Sequence, residues 1–132
     1  MARGDIGVSN RQLEKEEAQL GPPSKIMDAS QHAQLLVQTV RKTIEFRLGS
    51  KAERNLKATQ MITRTFINTP RSRLLPNLNP GTMYFIKVKT ENKQYPWIFV
   101  KIYEPPVVTN VFKVKLRKMT KMDREYDLVS TF

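Results

Sequence analysis

A chain of 132 residues with a formal net charge of +11 is one domain, or one domain with a tail, long enough to bury a modest core. Its 39% hydrophobic content argues against wholesale disorder, and the lack of cysteine leaves no disulfide framework, thiolate metal site or cysteine nucleophile. The N-terminus has no secretory-signal core and no apolar run approaches a membrane span, so a cytoplasmic or nuclear protein without membrane contact is expected.

Charge is unevenly spread. Residues 1–32 are near neutral, whereas residues 33–79 hold nine Lys/Arg against two Asp/Glu, and residues 80–132 hold ten against five. The basic excess therefore belongs to the folded body. Such a field draws polyanions and acidic protein faces, and it equally describes a solvated surface that keeps a small protein soluble.

In chain order, Ser9 to Gln12 offers a capping-box start for a short charged helix ending near Leu20, with Gly21 as its stop. This helix carries Leu13 and Leu20 and little else that is apolar, so loose docking is expected. Gly21-Pro22-Pro23-Ser24 then enforces extended geometry. One long helix is predicted from Asp28 or Ser30 to Leu48, before Gly49. Ala33, Leu36, Val37, Val40 and Ile44 form its apolar stripe, with Gln34, Gln38, Arg41, Lys42 and Glu45 on the other side. His32, the sole histidine, stands in the first turn with no cysteine or carboxylate cluster and reads as structural.

Residues 58–68 have strand character, and residues 71–80, with two prolines and two asparagines, describe a loop. The clearest signal is the hairpin from Gly81 to Tyr103. Tyr84, Ile86 and Val88 alternate with Phe85, Lys87 and Lys89, and after a polar turn Ile98, Val100 and Ile102 alternate with Phe99, Lys101 and Tyr103. Trp97, just before the second strand, reads as a packed or edge aromatic. Beyond the turn at Glu104-Pro105-Pro106, residues 111–118 turn Phe112, Val114 and Leu116 inward and Lys113, Lys115 and Arg117 outward. Tyr126, Leu128, Val129 and Phe132 suggest a short closing strand. The order predicts an α+β fold, an antiparallel sheet of four to five strands around one long helix. Its outer face would present Lys87, Lys89, Lys101, Lys113, Lys115 and Arg117 together.

These residues resemble the cystatin superfamily, most closely its stefin branch, whose members are small, cysteine-free and lack a signal peptide. The family's third and fourth strands are similar to Gly81–Val88 and Ile98–Tyr103, and the proline turn that follows them to Pro105-Pro106. Its charged approach to a terminal Asp/Glu-Leu and Phe looks like Lys121–Asp123 through Asp127-Leu128 and Phe132. Gly21-Pro22-Pro23-Ser24 is similar to the glycine-bearing trunk, and Gln31-His32 has stefin-like wording. The resemblance covers residues 21–132 as a stefin-like domain and leaves 1–20 as a charged N-terminal extension.

What the resemblance implies is reversible, tight-binding inhibition of papain-like cysteine proteases of the cathepsin type, by a monomer that needs no cofactor. Trunk and two hairpin loops together occlude the active-site cleft, which requires shape and apolar contact rather than chemistry. Carried onto this chain, those pieces are Gly21 with Pro22, the loop Asn77, Leu78, Asn79, Pro80 and Gly81, and Pro105 with Pro106. The family's first loop reads Gln-Val-Val-Ala-Gly, of which only Gly81 is kept here, and two side chains become amides. The alternative is a non-inhibitory module of the same fold that offers the basic face to an acidic protein or nucleic acid. An enzyme finds no metal cluster, triad or phosphate-binding glycine loop in this sequence.

Overall fold

The computed structural model describes residues 20–49, 55–66, 81–105, 114–122 and 128–132. Ser30 starts the helical region, its hydroxyl accepting from the Ala33 amide as an N-cap should. Where one long helix is predicted there are two helical segments, α1 (Gln31–Thr39) and α2 (Arg41–Leu48), separated at Val40. The reason is local. Thr39 donates its hydroxyl to the Leu35 carbonyl, a back-bond that bends helices, and a second β-branched residue follows at once. The bonds from Val40 N–H to Leu36 O and from Ile44 N–H to Val40 O still carry the α-helical pattern across the break. Gly49, at φ 74°, closes α2 in the left-handed conformation.

Five strands form one antiparallel sheet in sequence order: β1 (Met27–Asp28), β2 (Lys57–Thr65), β3 (Thr82–Lys89), β4 (Trp97–Glu104) and β5 (Lys115–Met122). The predicted stripe packs on one face. Ala33, Leu36, Val37, Val40, Ile44 and Leu48 form a single cluster with Ile86, Val88, Ile98, Val100, Ile102 and Leu116. Burial of each large side chain here contributes about 1.5–3 kcal/mol. Gln34, expected on the outer side, instead ties α1 to the start of β2: its amide donates to Leu56 O at 2.7 Å and accepts from Ala58 N–H at 2.8 Å.

The opposite face is covered too, which the alternating pattern does not predict. Leu20, Ile62, Phe66, Met83, Phe85 and Val129 make a second buried cluster, with Tyr103 and Phe132 against it. Phe132 meets Phe85 and Phe99 at ring-centroid distances of 5.9 and 6.1 Å. Residues 128–132 achieve this without strand pairing, so they form no closing strand; Tyr126 lies outside the described residues. Leu20 is also no part of a loose extension, since it is 6% exposed and bridged to Phe66. Of the strand expected over residues 111–118, Lys115 onward is strand and Val114 is not, while Val111, Phe112 and Lys113 lie outside the described residues.

Candidate functional site

Three of the segments singled out in the sequence meet along one end of the sheet. Gly21 donates its amide to Thr65 O at 2.8 Å, and Phe66 donates to Gly81 O at 3.2 Å. Thr65 pairs with Thr82, and Thr82 with Glu104, directly before Pro105. A lateral row of backbone pairing therefore runs from the Gly21 segment to the beginning of the β4–β5 connection. Antiparallel strands joined by hairpins make this automatic, because the β2–β3 and β4–β5 connections leave from the same end.

Each part of that end is held by a specific contact. Arg64 donates through Nε to Gly21 O at 2.6 Å and through Nη2 to Leu20 O at 3.3 Å. Ser24 is locked both ways, N–H to Thr63 O at 2.9 Å and Oγ accepting from Thr63 N–H at 3.0 Å. Pro22 and Pro23 remain exposed beside these bonds, and with Thr63 and Thr65 they border a shallow groove of ≈ 350 Å³. Gly81, at φ 111°, fits where a Cβ would stand 2.9 Å from the Tyr103 ring and hydroxyl. Only glycine meets both demands without strain. Tyr103 in turn packs edge-on against Phe66 with centroids 5.6 Å apart.

On the helix side of the same end, His32 Nε2 and Glu104 Oε2 are 2.6 Å apart, and the His32 ring lies 5.9 Å from that of Tyr84. Burial, and then the charge and hydrogen bond of Glu104, push the Tyr84 phenol up from 10.0 to about 12. Among the described residues no group of three or more His, Asp or Glu side chains is placed to hold a metal ion.

Of the residues assigned to a protease-binding edge, Gly21, Pro22, Gly81 and Pro105 are brought together here, while Asn77, Leu78, Asn79, Pro80 and Pro106 lie outside the described residues. The predicted basic platform fares differently. Lys87 and Lys101 do share the second face, yet each is only 6% exposed. Lys87 Nζ lies 4.7 Å from the Trp97 ring centroid and Lys101 Nζ lies 5.5 Å from that of Phe85. Their four-carbon stems are covered while each ammonium faces an aromatic π-system, an arrangement lysine tolerates well. Lys89 and Lys115 are exposed, and Arg117, the extra residue of a bulge opposite Lys101 and Ile102, stacks its guanidinium 5.1 Å from the Tyr103 ring. Lys113 lies outside the described residues. Trp97 is partly buried at the sheet's end, as an edge aromatic.

Arg64 is the contact at this end of the sheet that sequence reading missed; nothing in its neighbourhood marks it apart from the other basic residues. No protein-family model matches the chain, and no curated protein matches it. Among the described residues no helix is long and apolar enough to cross a membrane.

Proposed function

We propose that this chain is a stefin-like inhibitor of papain-like cysteine proteases, with its sheet wrapped around one interrupted helix. It acts as a monomer inside the cell, by entering the protease cleft with three adjacent backbone segments. The observation that carries this reading is the row Gly21–Thr65–Thr82–Glu104, which brings the glycine-proline trunk and the roots of both hairpin connections to one end of the sheet. A cleft-occluding wedge needs that convergence, and it needs it fixed beforehand, because segments already ordered lose less entropy on docking. Arg64 and Ser24 supply this order to the trunk, and the Tyr103–Gly81 contact supplies it to the first connection. The alternative, a basic platform for polyanions, has less support: Val129 and Phe132 sit on the second face, and two of its six cations are covered.

Titration of active papain with the intact protein tests the reading. Stoichiometric or nanomolar inhibition is expected, lost on Gly21→Arg, which adds bulk at the trunk. Full protease activity at micromolar protein, with the fold verified by circular dichroism, would sink the proposal.

A further inference from the structure

The two edges of the sheet are treated differently. Along the outer side of β2, Gly21, Ser24 and Ala29 donate their amides to the carbonyls of Thr65, Thr63 and Thr59, and β1 pairs between them. That edge is closed. At the other edge stands β5, eight residues long, and among the described residues no strand pairs with its outer side. An unpaired row of backbone donors and acceptors is a template for one more strand. The register fixes what that strand would meet. Lys115 lies opposite Tyr103 and Lys118 opposite Lys101, which puts both on the face turned away from the helices. Leu116 and Met119, opposite Ile102 and Val100, turn towards the helices. Both lysines are exposed, β5 contains no acidic residue, and among the described residues no carboxylate pairs with either. On the helix side an open groove of ≈ 460 Å³ runs between α2 and β5, lined among others by Val40, Phe46, Val114 and Leu116. The Phe46 side of it is bare, with 76% of that residue exposed.

We propose that β5 takes an extended acidic segment of a partner protein as a sixth strand, its carboxylates beside Lys115 and Lys118 and its alternate, apolar side chains beside Leu116 and Met119. Opposed side chains of neighbouring strands stand about 5 Å apart, close enough for opposite charges to favour a pairing and for like charges to oppose it. A second copy of β5, or any basic segment, brings cations together, which is how lysines guard an exposed edge. The same guard selects a strand of opposite sign. Apolar residues at alternate positions follow from the groove, because a strand points its side chains to its two faces in turn. This edge is independent of protease inhibition, and its test contains no protease.

The probe is a fluorescein-labelled octapeptide alternating glutamate and valine, titrated with the intact protein by anisotropy. Beside it run the same peptide with lysine in place of glutamate, and a version with every amide N-methylated, which keeps the charges and removes the donors. Saturable binding of the glutamate peptide, weakening as salt rises, is expected. N-methylation weakens it by about tenfold, and so does the double variant Lys115→Glu with Lys118→Glu. Both positions are exposed, and circular dichroism verifies the fold. Amides between Lys115 and Met122 that exchange quickly in the free protein gain protection when the peptide is bound. The proposal is overturned by absent saturable binding, by equal binding of the lysine peptide, by affinity unchanged on N-methylation or in the double variant, or by protection gained only outside β5.

Discussion

His32 and Glu104, far apart in sequence, approach to 2.6 Å and so tie the first turn of α1 to the end of β4. Both side chains are partly solvated, at 47% and 27% exposure, so the link contributes modestly in energy and chiefly fixes geometry. His32→Ala should lower stability by under about 1 kcal/mol, read as a shift in urea midpoint at constant slope. A loss several times larger would show that the pair is more than a surface link.

Tyr84 predicts alkaline sensitivity. Its folded value, about 12, lies above the ordinary 10.0, so the folded protein holds the phenolic proton more tightly than the unfolded chain. That stability is fully present below pH 10.0 and is lost as pH rises towards about 12. The loss is on the order of 1–2 kcal/mol once solvent screening of this half-buried group is counted. Urea titrations across this window should fall less steeply with pH for Tyr84→Phe, and that variant should lack a tyrosinate absorbance that rises towards about 12. Identical pH profiles would refute it.

Gly81→Ala meets two obstacles together, a positive φ of 111° and a Cβ placed 2.9 Å from Tyr103. A destabilisation of about 1–3 kcal/mol is expected from backbone strain alone, measured by chemical denaturation. A neutral substitution would mean that the β2–β3 connection reaches its pairing by another backbone path.

Leu20→Ala should cost about 2–5 kcal/mol, the range for emptying a core leucine site, because the side chain is 6% exposed in the second cluster. A chain shortened to begin at residue 20 should therefore melt well above one that begins at residue 22. Equal melting temperatures would restore the boundary that the sequence suggests at Gly21.

Arg64→Lys keeps the charge but cannot reproduce the forked donation to the carbonyls of Leu20 and Gly21. The Gly21 amide, bonded to Thr65 O, should then exchange with solvent about tenfold faster. Unaltered exchange there would remove Arg64 from the account of how the trunk is ordered.

Sequence patterning was most informative where one residue's environment is set by its near neighbours. Ala33, Leu36, Val37, Val40 and Ile44 announce their shared burial through helical spacing, and the hairpin of β3 and β4 announces itself through period two. The break at Val40 was hidden because it depends on the rotamer of Thr39. Burial of Phe85, Lys87 and Lys101 was hidden for another reason: alternation says which residues share a face and not whether that face is open. Its cover comes from Leu20, Val129 and Phe132, which reach it only through the tertiary fold. The lining-up of Gly81 and Pro105 was implied by the strand order, whereas the pairing of Gly21 beside them and its fastening by Arg64 were not.

The lysines beneath the second face have one more consequence. An ammonium group held against indole or phenyl and shielded from solvent is a poor target for acylating reagents and a poor partner for a passing polyanion. Lys87 and Lys101 therefore count in the formal charge of +11 while offering little surface for direct contact. A macromolecule arriving at this face can touch fewer of its cations than the formal charge suggests.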